Sequence, residues 1–460
     1  MNISTVEDAP RAIFHDTVAA TQADNSDRSD LWDWVLLTII TCGFLMLLYG
    51  SISTAFFRPL VTAANNHHWA RLMRSPSILW VTMGTVLFVF RTICWFRYRP
   101  FPSVSWSKAP VLSVVIPAYN EGAMVLKSIE SVAGALYPRA RLEVFVVDDG
   151  STDDTWEYIC RAAARYPGLV KPVRLPKNCG KRTALATGFR MARGEILVTL
   201  DSDSVIQPDA LLALAGPFRT PRVGAVAGKV AVYNRRRGLI PRMLHVRYIL
   251  SFDYLRAVES SYGNVYCCPG ALTAYRASAV HAVLDEWLQQ NFMGARCTFG
   301  EDRAMTNLLL RSGYDTVYQR SAVVRTVVPV TYWKMCKMFL RWDRSYVREE
   351  LRFLTIVWKR PLRTRLIALL DRLITNFRYP VHYASLVLLV TMVAVHPAVL
   401  ARVLIAVGLM SFVNTLYYLR TERSPDFFYG IIYAYFAMFT LFWIFPYAVL
   451  TVRARAWLTR

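Results

Sequence analysis

Two aspartates one residue apart, Asp201 and Asp203 in the run DSDS, follow directly on the apolar segment ILVTL at 196–200. Carboxylates at a strand end can project toward one divalent cation. Mg2+ or Mn2+ takes hard oxygen ligands and tolerates substrate phosphates as the rest of its shell. Such a cation would neutralise charge developing on a departing diphosphate. A second acidic set, GEDR, supplies Glu301, Asp302 and Arg303. A carboxylate there would take the proton of an acceptor hydroxyl within hydrogen-bond reach. Its purely structural counterpart is a surface cluster paired with Arg303.

Further candidates flank these two sets. The run IPAYNE places Tyr119 and Glu121, beside Pro117 and Asn120, at a turn where an aromatic ring can hold a nucleobase. VVDDGSTDDT places Asp148 and Asp149 where carboxylates can accept from base N–H groups or ribose hydroxyls, while Ser151, Thr152 and Asp153 suit helix capping. Lys177, Lys181 and Arg182 surround Gly180 at an expected helix start, a pattern that suits an anionic diphosphate and equally a solvated basic helix end. Gly270, in VYCCPGALTAYR, would shape the acceptor end of the cleft with Ala271 and Tyr275. Arg341 and Trp342, in MFLRWDRSYVRE, offer a bidentate cation and a flat sugar platform, or else a membrane anchor.

These residues need a scaffold that brings strand ends together. VLSVVI (111–116), LEVFVV (142–147) and ILVTL are near-continuous apolar runs, each stopping at a polar or acidic cluster, as buried parallel strands do. Stretches 122–135, 154–165 and 181–192 carry helical spacing. The fold class is therefore a doubly wound α/β domain over 105–330. A polar tail at 1–30 precedes two expected transmembrane helices within 31–99, at 31–50 and 77–96, with Arg91 free to snorkel at the end of the second. Arg97 and Arg99 follow that span and put the α/β domain in the cytosol by the positive-inside rule. Amphipathic interface helices are expected over 331–377. Membrane segments follow over 378–452, their apolar stretches at 379–395, 397–419 and 427–451, with Pro446 breaking the last or one of the three re-entrant, and then a cytosolic tail at 453–460.

Composition agrees with a membrane enzyme. Hydrophobic residues make up 54% of the 460 and charged residues only 19%, more apolar than an ordinary soluble enzyme. The net charge of +22 comes in clusters at 233–247, 334–365 and 452–460, beside acidic motifs or apolar spans. That layout suits anionic lipid headgroups and a phosphorylated substrate; it is not the tract of a nucleic-acid binder. The eight cysteines have no zinc spacing, and Cys267–Cys268 reads as a pair of reduced structural thiols.

In this order the motifs IPAYNE, DDGS, DSDS, GEDR and RWDRSYVRE resemble those of processive family-2 glycosyltransferases with the GT-A fold, over roughly 75–460. Within that family the chain is most similar to hyaluronan synthases and nodulation-type chitooligosaccharide synthases. The resemblance implies Tyr119, Glu121, Asp149 and Lys181 around uridine, and Asp201 and Asp203 around metal and diphosphate, with Asp203 the direct ligand. It implies Asp302 as general base, and Arg341 and Trp342 at acceptor and diphosphate. The terminal WLTR, with Trp457, Thr459 and Arg460, resembles a Trp-Gly-Thr-Arg gating motif that closes over UDP, with Leu458 in place of the glycine. One departure concerns the acceptor end, where Met338 and Phe339 stand at the glutamine positions of the family's Gln-x-x-Arg-Trp pattern. The activity implied is inverting, metal-dependent polymerisation of UDP-sugars onto a growing glycan, with export across the cell membrane, hyaluronan-synthase-like. Its alternatives are a chitooligosaccharide synthase using UDP-GlcNAc alone, a non-processive lipid-carrier transferase, and a non-catalytic sugar-binding export subunit.

Overall fold

A computed structural model describes residues 68–454 continuously, with side chains from Thr82 onward, and scattered positions between 35 and 49. The expected polar tail, most of the first expected span and the terminal WLTR lie outside the described residues. The chain enters through helix α1 (His68–Arg97), which covers the second expected span. The α/β part then runs β1 (Leu112–Ala118), α2 (Met124–Ala133), β2 (Leu142–Asp148), α3 (Thr155–Arg165), β3 (Val170–Arg174), α4 (Lys181–Met191), β4 (Ile196–Leu200), β5 (Ser204–Ile206), α5 (Ala210–Ala215) and β6 (Val223–Val232). It continues through α6 (Leu239–Ile249), α7 (Arg256–Ser260), β7 (Leu272–Arg276), α8 (Ala277–His281), α9 (Leu284–Leu288), a small hairpin of β8 (Asn291–Phe292) and β9 (Ala295–Arg296), α10 (Glu301–Arg311) and β10 (Asp315–Thr326).

Eight strands form one sheet in the order β3-β2-β1-β4-β7-β6-β10-β5. The β3-β2-β1-β4 half is parallel, as the apolar runs predict. Strand β1 shows why those runs are unbroken: Val114 and Ile116 enter the core on one face, while Val115 packs into the core on the other. Helix α4 lies so close on that second face that a Cβ at Gly188 would fall 2.3 Å from Val115 Cγ1. The other half departs from a doubly wound parallel sheet. Strand β7 runs antiparallel to both β4 and β6, and β5 antiparallel to β10. The sheet is mixed, and the switch beside β4 leaves the end of β4 open to residues from β7 and α10.

Beyond the sheet, α11 (Tyr332–Ile356) is one long amphipathic helix, its apolar face (Met335, Met338, Phe339, Leu340) buried against the domain. Helix α12 (Leu362–Val395) is continuous across 377/378, where interface helices were expected to give way to membrane segments, and carries Pro380 within it. Then come α13 (Ala398–Glu422), α14 (Phe428–Thr440) and α15 (Ile444–Leu450). Among the described residues, α12 and α13 are long and apolar enough to cross a membrane, and α14–α15 form a third crossing or a re-entrant loop, bent by 53°. The break falls just before Pro446, which cannot donate to the carbonyl of Phe442; Tyr383 OH donates to that carbonyl instead, at 2.9 Å. Arg91 does not snorkel: its guanidinium pairs with Asp371 of α12 at 2.8 Å and donates to Thr375 Oγ1, locking α1 to α12.

Candidate active site

The ends of β1 and β2 build the first corner of the site. Asp149 is buried, and its two carboxylate oxygens accept from Cys179 N–H and Gly180 N–H, each at 2.8 Å. Gly150, at φ +72°, lets loop 177–180 pass directly over this turn; a Cβ there would lie 2.5 Å from the Lys177 carbonyl carbon. Burial pushes the Asp149 carboxyl up against the lowering pull of those two N–H groups. Asp149 thus fixes the loop from which α4 starts. Glu121 Oε1 accepts from Ser202 Oγ at 2.8 Å, which ties IPAYNE to the DSDS turn. Half-buried Tyr119 stands beside it.

Helix α4 then delivers Lys181 to the centre. Its ammonium lies 2.5 Å from Asp201 Oδ1, at the end of β4, and 3.1 Å from Glu301 Oε1, in the first turn of α10. One cation thereby joins DSDS to GEDR. Gly270 is part of the same contact, since a Cβ on it would sit 2.8 Å from Lys181 Nζ and 3.2 Å from Asp201 Oδ1. Asp203 is bolted to the other side of the cleft, its Oδ1 accepting from Thr326 Oγ1 at 3.1 Å, where β10 pairs with β5. Asp201, Asp203 and Thr326 offer only oxygen donors to a shared space, a set that fits Mg2+ or Mn2+ rather than a softer ion. Among the described residues no group of three His, Cys, Asp or Glu side chains could hold a metal, so substrate phosphates and water would complete the shell.

Glu301 and Asp302 open α10 after Gly300, whose left-handed backbone (φ +75°) makes the turn. Burial pushes the Glu301 carboxyl up, but the charges of Lys181, Arg341 and Arg182 outweigh it and hold Glu301 below the usual carboxylate range. Asp302 is shifted the other way: burial and then the Glu301 charge raise it, against Arg303 and Lys181. Its Oδ1 accepts from Arg303 N–H at 2.8 Å, and the Cys267 thiol lies 3.5 Å from Oδ2. A buried carboxyl of raised affinity for protons is what a general base requires.

The far wall comes from α11 and α6. Trp342 lies between Phe339 (ring centroids 5.7 Å apart) and Tyr248 (5.9 Å). Tyr248 OH also points at Met338 Sδ, 3.6 Å away. The two residues that replace the family's glutamines therefore make an apolar and aromatic wall. A Cβ at Gly300 would fall 2.1 Å from Ser345 Oγ, so the turn carrying Asp302 is pressed onto α11.

A single cavity of about 370 Å³ is lined by Lys181, Asp201, Asp203, Gly270, Glu301, Asp302, Arg341 and Trp342. Tyr119, Glu121 and Asp149 do not line it; Glu121 is joined to the DSDS turn through Ser202, and Asp149 to the loop that precedes Lys181. Arg182, expected near the diphosphate, is instead turned inward. It is buried over the Trp287 ring and donates to Trp287 O (2.6 Å) and Gln290 Oε1 (2.9 Å). Helical geometry explains this, since neighbours on a helix point about 100° apart and only Lys181 can face the cleft. Among the lining residues not anticipated from sequence are Arg247, Tyr248 and Asp343. The charge cluster at 233–247 contains Arg247, and Asp343 lies inside RWDRSYVRE, but no sequence signal assigned either a role in the site.

Comparison with known proteins identifies the family. Residues 113–284 match the glycosyl transferase family 2 profile. The chain is 31% identical over 362 residues to an N-acetylglucosaminyltransferase of Azorhizobium caulinodans, covering 76% of this chain and 87% of that enzyme. It is 37% identical over 243 residues to an N-acetylglucosaminyltransferase of Rhizobium meliloti, covering 52% of this chain and 56% of that one. Against a relative of Mesorhizobium japonicum, 36% identical, it also spans little more than half the length, 57%. The fold is that of a mannosyltransferase from Pyrobaculum calidifontis solved with GDP-Man and Mn2+, at 21% identity and a TM-score of 0.56, covering 78% of this chain and 98% of that one. On the family profile over 113–284 and 31% identity across 87% of the Azorhizobium enzyme, the chain belongs to glycosyl transferase family 2 and is a hexosyltransferase.

Proposed function

We propose that the protein is a membrane-embedded N-acetylglucosaminyltransferase that builds a β-linked chitooligosaccharide from UDP-GlcNAc and feeds it toward the membrane helices. The observation that carries this reading is the meeting of Asp201, Asp203, Lys181 and Asp302 in one cavity, in a chain whose relatives are N-acetylglucosaminyltransferases. The hyaluronan-type reading needs UDP-GlcA as a second donor, and those relatives favour the single-donor alternative.

In this mechanism Asp302 takes the proton of the acceptor hydroxyl, which attacks the anomeric carbon in line and inverts it. Lys181, held by Asp201 and Glu301, supplies positive charge where the diphosphate departs. Asp203, with Asp201, would hold Mg2+ or Mn2+, which neutralises charge on the leaving UDP. Arg341 adds a second cation, and Trp342 offers its ring to the apolar face of the acceptor sugar. Tyr119, Glu121 and Asp149 serve the uridine end, where Glu121 and Asp149 also brace the turn and loop. Trp457, Thr459 and Arg460 are assigned to gating over UDP on the resemblance alone. The α/β domain faces the cytosol, with α1, α12, α13 and the bent α14–α15 pair in the cell membrane. Exposed Trp333, Trp358, Leu366 and Phe377 run along α11, the 357–359 turn and α12 as a surface that suits lipid.

Incubating the purified protein with UDP-GlcNAc, alone and with UDP-GlcA, tests the reading. Oligomer from UDP-GlcNAc alone is the expected result. Polymer formed only when both donors are present would replace it with hyaluronan-type synthesis.

A further inference from the structure

The cavity that holds Asp302 continues past the acceptor carboxylate. Arg91, Arg247, Ser251, Leu255 and Arg378 line it and also line a second cavity among α1, α6, α13 and α14. The backbone itself changes at this junction. After Ile249 the helix widens into a π-helical turn over Leu250–Leu255, a geometry that recurs at functional sites. Ser251 and Leu255 of that turn are among the shared residues.

Asp343 lines the catalytic cavity one residue beyond Trp342, and the donor chemistry does not use it. Three guanidinium charges act on it, from Arg247 on α6, Arg303 on α10 and Arg378 on α12. Flat aromatic faces accompany two of them. Arg247 lies 5.8 Å from the Tyr433 ring centroid and Arg378 lies 5.0 Å from that of Tyr379, which is itself stacked on Phe445 at 3.8 Å. Burial outweighs the three cations and lifts the Asp343 carboxyl to about 6.

We infer that Asp343, Arg247 and Arg378 form a subsite that grips a neutral N-acetylhexosamine unit of the product as it leaves the catalytic cavity. The inference rests on the polymerase reading above and adds the residues that hold the product beyond the acceptor position. Hydroxyls of a neutral sugar both donate and accept, so a carboxylate beside guanidinium groups can satisfy them together. The nearby aromatic rings suit the apolar faces of a sugar ring.

The test uses the full-length enzyme in lipid vesicles with UDP-GlcNAc, following chain length on a gel and UDP release in parallel. Asp343→Asn keeps the size of the side chain and removes the charge. Arg378→Gln, at an exposed position, guards against a folding defect at Asp343. Losing one charged hydrogen bond to the glycan speeds its escape, so mean chain length falls about tenfold in either variant, well beyond any fall in UDP release. Wild-type chains also shorten as pH drops through about 6, where Asp343 takes a proton and its charge-assisted hydrogen bond to the glycan is lost. Asp343→Asn shows no such step. Unchanged lengths in both variants, or length and UDP release declining together, would overturn the subsite while leaving the polymerase reading intact. A wild type that makes polymer only when UDP-GlcA is also supplied overturns both.

Discussion

Glu301 and Asp302 are neighbours in the chain, yet they belong to different regions of the cleft. Glu301 turns to the donor side, where Lys181 and Asp201 complete a charge-paired cluster. Asp302 turns to the acceptor side, where its closest contacts are the Arg303 amide and a neutral thiol. The donor side therefore keeps a buried carboxyl ionised, whereas the acceptor side raises one toward a working base. Burial acts on both; the difference lies in which side has a cation in contact. Asp343 extends the acceptor pattern, its carboxyl lifted to about 6 although three arginines act on it.

This contrast can be broken by removing the base itself. Asp302→Asn is expected to lower the rate of UDP release by about 10²–10⁴, the usual weight of general base catalysis. A variant within tenfold of wild type would remove Asp302 from that role. Lys181→Met attacks the donor side and leaves Glu301 buried without its cation. A stability loss of about 3 kcal/mol follows for such a broken pair, read as a fall in Tm. A Tm matching wild type would show that Lys181 does not hold the cluster together.

Gly270→Ala is the milder donor-side probe. Its methyl would meet the end of the flexible Lys181 side chain at 2.8 Å, so the protein folds and the Lys181–Asp201 contact is displaced. About a tenfold loss in kcat/KM is expected, equivalent to about 1.4 kcal/mol at the transition state. The smallest effect is on pH dependence. Asp302 must be ionised to accept a proton, so activity falls as pH drops through its raised pKa, above the ordinary aspartate value of about 3.9. The Glu301 charge is one cause of that raise. Glu301→Gln removes it and leaves Lys181 closer to unpaired, and both changes move the acid limb to lower pH. A limb that stays in place or rises would show that the two carboxyls do not sense each other.

Much of the donor region was legible in sequence, because its signals are local. Unbroken apolar runs ending in PAYNE, DDGS and DSDS marked β1, β2 and β4 to within two residues. The acceptor region was less legible. Arg247 sat in a basic cluster and Asp343 in RWDRSYVRE, but with Tyr248 they lie on helices whose pattern records only which face is apolar, so no local signal assigned them to the site. Met338 and Phe339 were readable as a loss of amides, but their role as a wall around Trp342 depends on Tyr248 arriving from α6.

By itself the sequence determined the α/β class, the strand ends that carry chemistry and the apolar character of the C-terminal segments. Each of these follows from periodicity and composition within a window of a few residues. Tertiary structure alone decided that β7 runs antiparallel, that Arg182 faces inward while Lys181 joins two distant motifs, and that Arg91 pairs with Asp371 instead of reaching for the membrane surface. The physical reason is that a charge answers to its neighbours in space. Coulombic and hydrogen-bond energies depend on distances of a few ångströms, which folding sets and residue order does not record.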